Sequence, residues 1–192
     1  MASLVNPTRA SLTSEVEDLR AQANRLATGL TRAQFNWQPD GGRKWSVGQC
    51  FDHLARGNTL YLEAVTQAIA AAPPRPADQP LTARANMLGR WFIGTLEPPP
   101  RIAVRAPKAI QPASDVDPAD TQRRFDDSLA GLLAVLPQAW SVDPNRTRFK
   151  NPLARGWRVF NITAAFQILT AHSRRHLWQA EEVRRRPEWP SE

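Results

Sequence analysis

Three histidines, His53, His172 and His176, are the only ones in 192 residues, and their types and spacing could do chemistry. His172 and His176 stand at i and i+4 in the segment AHSRRHLWQAEEV. On a helical wheel they lie about 40° apart and one turn along the axis, so both imidazoles reach one point beside the helix. A helix uses this geometry to give one metal ion two nitrogen ligands. Ala165, Ile168, Leu169 and Val183 share their side of the wheel, so the pair is expected to face the core. Inward imidazoles need partners. A metal ion would serve; so would water or backbone carbonyls. On the second predicted helix, His53 shares its face with the small residues Cys50, Gly57 and Ala64, and Leu60 lies nearby. If His53 faces the pair, a three-nitrogen site with open positions results, leaving a divalent ion its full charge as a Lewis acid. Zn, Ni, Fe and Cu are all compatible with such a set, which does not choose among them.

Neighbouring residues offer less. Cys50 lies one turn before His53 and reads as core packing rather than as a fourth ligand. Asp52 points about 100° away from His53 on the wheel, which predicts a surface charge or a charge of the helix's N-terminal half. Ser173, Arg174 and Arg175 occupy the positions where a metalloprotease would carry its general-base Glu, so a peptidase is disfavoured. Gln179, three residues after His176 on the same face, is a candidate partner for an imidazole nitrogen. The tryptophans, Trp45 among them, read mostly as core or lid packing. Arg90 and Trp91 are candidates for the wall of a pocket over the metal. No phosphate-binding glycine loop and no Ser/His/Asp set is visible.

The elements that must position these groups are helical. Asn6-Pro7 predicts a helix start, and Leu12, Val16, Leu19, Ala23, Leu26 and Leu30 form one apolar stripe over about 24 residues. Ser46 with Gln49 is a capping-box pattern for a second helix, which Pro73-Pro74 must end near Ala72. Residues 73–112 hold nine of the 17 prolines. The segment 73–117 therefore reads as a long Pro-rich crossover, with a short helix between Thr82 and Thr95. Asp117-Pro118 starts a third amphipathic helix ending at Pro137, and a fourth is expected from Trp157 to Arg186. No alternating strand pattern appears. The expected fold is all-α, a four-helix bundle with a long crossover between its second and third long helices, formed by residues 1–192 as one domain.

Charge and composition narrow the partners. Lys+Arg is 25 against 18 Asp+Glu, but the cations are scattered and form no stripe interleaved with aromatics. A nucleic-acid partner is disfavoured. No apolar run is long enough to span a membrane, and the first residues lack an apolar core of a secretory leader. With a single cysteine, Cys50, a cytoplasmic location is expected.

Two segments carry a resemblance. FNWQPDGGRKWSVGQCFDHLARG, with Trp45-Ser46 at its helix start and His53 beyond, resembles the first loop and second helix of the DinB/YfiT-like family. AHSRRHLWQAEEV resembles that family's last helix, where an HxxxH pair is followed by a Gln. The Pro-rich middle is also similar to crossovers of some members. The resemblance implies a four-helix bundle and a divalent metal held, by position, by His53, His172 and His176. It further implies a metal-dependent transferase that activates a small thiol of the bacillithiol or mycothiol type toward an electrophile. A metal-dependent hydrolase and a non-catalytic metal-binding stress protein are the alternatives. Partners expected on this reading are the thiol, the electrophile and a second copy of the chain as a homodimer.

Overall fold

The computed structural model describes residues 6–76, 78–100 and 105–190. Positions 1–5 and 191–192 at the two ends, and positions 77 and 101–104 of the crossover, lie outside the described residues. Among the described residues all regular structure is helical. The order is α1 (Arg9–Ala27), α2 (Arg32–Asn36), α3 (Pro39–Gly42), α4 (Val47–Ala70), α5 (Met87–Leu96), a 3-10 turn (Lys108–Ile110), α6 (Pro118–Ser141) and α7 (Ile162–Arg184). Two isolated antiparallel bridges, Pro74 with Val142 and Arg148 with Asn161, pin loops together.

Helix ends follow local chemistry, in places one or two turns from where the sequence pattern puts them. Thr8, not Asn6, caps α1, through a reciprocal box with Ser11. That helix stops at Ala27, before Gly29, whose φ of 79° continues no right-handed helix. Ser46 and Gln49 close the expected capping box on α4. The crossover helix starts at Met87, where the Asn86 side chain accepts from the Gly89 amide. Pro137 does not end α6. It removes one backbone donor, while Ala139 beyond it is fully buried and Trp140 packs edge-on against Phe166. Trp157 is exposed and α7 begins only at Ile162, because Asn161 is bridged to Arg148 and caps the helix by accepting from Ala164.

The four long helices pack in one ring: α4 lies against α6 and α7, and α1 against the same two. Their apolar stripes meet in one contiguous core. Phe51 and Phe125 meet edge to face at 5.3 Å across α4 and α6. Truncating such a buried ring to Ala costs about 3–5 kcal/mol. The first half of α4 is covered on its remaining side by α2 and the 3-10 turn, so Val47 to Ala55 are buried almost without a break.

The crossover is tied down at both limbs. On the outgoing limb α5 packs on α7. Arg174 of α7 forms a two-pronged pair with Glu97 just past α5, at 3.1 and 2.5 Å, and also pairs with Glu15 of α1. On the returning limb the Ala113 amide donates to Asp52, Gln49 donates to the Ala113 carbonyl, and Asn36 bonds both backbone groups of Val116.

Candidate metal centre

The inward faces of α4 and α7 bring the three histidines together. One ring nitrogen from each of His53, His172 and His176 lies within 4.8 Å of the others. The ring centroids are 4.6 to 4.9 Å apart. His53 and His176 are buried, and His172 is half-buried and lines a cavity.

Two of the imidazoles have a fixed tautomer. His53 Nδ1 lies 2.6 Å from the Ile110 carbonyl. A carbonyl can only accept, so Nδ1 carries the proton and Nε2 presents a lone pair. His176 Nδ1 lies 3.0 Å from Gln179 Oε1, which gives the same result. His172 has Nε2 3.0 Å from His53 Nε2. Because the His53 nitrogen is an acceptor, His172 donates in this contact. One hydrogen bond thus joins α4 and α7 within the cluster.

Burial keeps the rings neutral. It lowers the pKa of His53, an effect that the Ile110 carbonyl partly opposes. Burial, then repulsion from its two neighbours when charged, holds His172 well below the ordinary range. Burial and a charged His53 push His176 down to about 3. All three are therefore free bases at neutral pH, the state in which imidazole binds metal.

A tryptophan forms the lid of the cluster. Trp45, just before α4, packs against His53 at 4.8 Å and stacks on His176 at 5.5 Å and 30°. The cavity beside the rings measures about 350 Å³. Gly57 opens it, for a Cβ there would stand 3.8 Å from His172 Cε1 and any longer side chain would fill the space in front of that ring. Arg175 and Arg105 bring positive charge to its wall.

Residues 15–180 match the sequence profile of the DinB superfamily. The chain belongs to that superfamily. No curated protein and no solved structure matches it significantly. In this DinB chain the HxxxH pair lies on α7 and the third histidine on α4.

Other expected residues fall differently. Arg90 and Trp91 do not line the cavity, and Trp91 is 66% exposed; the same helix instead turns Phe92, Thr95 and Leu96 toward it. Cys50 is fully buried in the core, outside the histidine cluster, and burial pushes its thiol pKa far up. Asp52 is not a surface charge. It is completely buried, accepting from Arg56 at 2.8 Å, Arg124 at 2.9 Å and the Ala113 amide at 3.0 Å. The wheel angle was right about its direction away from His53, but that side is covered by α6 and the returning crossover. The Ile110 carbonyl escapes pattern reading, since a backbone group carries no side-chain signal, whereas Trp45 takes the lid half of the expected core or lid packing.

Proposed function

We propose that this DinB protein is a four-helix bundle with a Pro-rich crossover, holding one divalent metal ion through His53, His172 and His176, and that it transfers a small thiol to an electrophile. The observation that carries the reading is the convergence of three neutral imidazoles, two with Nδ1 already donated to an oxygen. Hydrogen bonds of that kind orient imidazole ligands and raise their basicity. Nitrogens around a tetrahedral zinc stand roughly 3.3 Å apart, so a spread of 3.0 to 4.8 Å suits one ion of this size. Zn or Ni fits the donor set best, with Fe or Cu as alternatives.

A bound divalent ion would lower the pKa of a thiol and so supply a thiolate at neutral pH. The thiol proton passes to solvent, and the new bond from sulfur to the electrophile forms as the leaving group departs or an activated double bond opens. The chain's own residues do the rest. Ile110 and Gln179 hold two rings in the ligating tautomer. Trp45 covers His53 and His176 and keeps bulk water from that side. Arg175, lining the same cavity, adds positive charge that favours an anionic sulfur over a neutral one. Cys50 takes no part, because it is protonated and faces the core.

The test is transfer of a small thiol to a chromogenic electrophile by protein as purified, after chelation, and after metal is restored. Activity that is lost on stripping and regained with Zn or Ni supports the reading. Equal rates in all three states would overturn it.

A further inference from the structure

The cavity in front of the histidines has a body that metal binding does not use. Phe92 and Leu96 of α5 line it together with Phe160, Ile168 and Leu169. Phe92 and Phe160 stack with centroids 5.5 Å apart and planes 20° from parallel, so together they form one aromatic side of the cavity. Tyr61 of α4 and Asn151 of the loop before α7 also line it, and they are hydrogen-bonded to each other. Thr95 turns its hydroxyl to the Phe92 carbonyl, and its own carbonyl is engaged by Arg175. What remains for a ligand is mostly apolar surface, with Arg105 and Arg175 on the wall and three imidazoles at one end.

We propose that this cavity takes the apolar body of the electrophile, an aryl or branched alkyl group up to the size of two fused rings, with its reactive end toward His53, His172 and His176. The size follows from volume. An apolar cavity of about 150 Å³ holds one benzene, and this one measures about 350 Å³. The chemistry follows from the wall, since a hydroxyl-rich ligand would lose its hydration and find few partners in return. The crossover helix sets the size limit. It is fixed by its Asn86 cap, by the Arg174–Glu97 pair and by Arg175 on the Thr95 carbonyl. Only the word electrophile rests on the transferase reading; apolar binding does not require a metal.

The experiment is calorimetric titration of the full chain with 1-naphthol, metal-free and Zn-loaded, with glucose as a polar probe of similar size. Binding of naphthol in both forms is expected, with a negative heat-capacity change and no detectable heat from glucose. Two substitutions address the wall from opposite sides. Ala154→Phe, on the loop that lines the cavity, should fill it; Phe92→Ala should remove half of the aromatic wall. Each should weaken naphthol at least fivefold while leaving Zn affinity within twofold. Absence of naphthol binding in protein that takes up Zn normally would overturn this inference and leave the metal centre standing. Naphthol binding in protein that takes up no metal would do the reverse. Naphthol affinity unchanged in both folded variants, or glucose binding as tightly as naphthol, would also overturn it.

Discussion

The Ile110 carbonyl accepts a 2.6 Å hydrogen bond from His53 Nδ1, so the far end of the crossover orients an imidazole on α4. The contact is held from behind. Three residues past Ile110, the Ala113 amide is bound by Asp52, which Arg124 of α6 and Arg56 of α4 keep ionised. Asp52 thus acts on the adjacent histidine through the crossover rather than by touching it.

Asp52→Ala removes that clamp. It should lower Zn affinity about tenfold, within the range seen when partners of ligands are lost. It should also cost about 2 kcal/mol of stability, as charge-assisted hydrogen bonds vanish and the Ala113 amide loses its acceptor. Urea unfolding and competition with a chromophoric chelator measure the two effects. Destabilisation with unchanged affinity would confine Asp52 to a structural role.

The hydrogen bonds specify tautomers. In metal-free protein His53 and His176 carry the proton on Nδ1, while His172 carries it on Nε2 and donates to His53. Filling the site requires the His172 Nε2 lone pair, so that ring alone should change tautomer. Nitrogen-15 chemical shifts before and after Zn addition test this directly. A His172 that is already Nδ1-protonated without metal would contradict the assignment.

The depressed histidine pKa values fix the sign of a pH effect. The unfolded chain takes up protons near pH 6.5, and the folded chain does so only at lower pH. Between these values the unfolded state binds more protons. The metal-free protein should therefore keep its full histidine contribution above about pH 6.5 and lose stability as pH falls below it, by up to about 1.4 kcal/mol per pH unit for each histidine. Urea midpoints of metal-free protein at pH 7.5, 6.5 and 5.5 measure it. Replacing all three histidines by Gln should flatten the dependence over this range.

Cys50 should be silent. Its thiol is buried and its pKa raised, so alkylation of folded protein should be far slower than of unfolded protein. Cys50→Ser should leave metal binding and any thiol transfer unchanged. Activity that survives chelation and disappears in Cys50→Ser would move the chemistry to the cysteine.

What the sequence made legible was what repeats or what is chemically rare. The i, i+4 histidines, the Ser46–Gln49 box and the Asp117-Pro118 start are local patterns that the backbone obeys. The misplacements came from tertiary context. Asp52 lies on the side that the wheel leaves outward, and only the returning crossover and α6 bury it. Pro137 reads as a stop, yet the residues after it gain enough by packing to keep the helix going. Ile110 contributes a carbonyl, which no residue type announces. Within α5 the reading reached the right helix but the wrong face, choosing Arg90 and Trp91 where Phe92, Thr95 and Leu96 turn inward.

On this reading, three histidines from two helices hold one metal ion. Zn and Ni titration of untagged, metal-stripped protein, beside the variants His53→Ala, His172→Ala and His176→Ala, tests it most directly. One ion per chain is expected, with affinity falling at least a hundredfold in each variant, since the remaining two imidazoles make a much weaker chelate. Wild-type protein that stays metal-free in excess Zn and Ni, or that behaves identically to His53→Ala, would contradict the account.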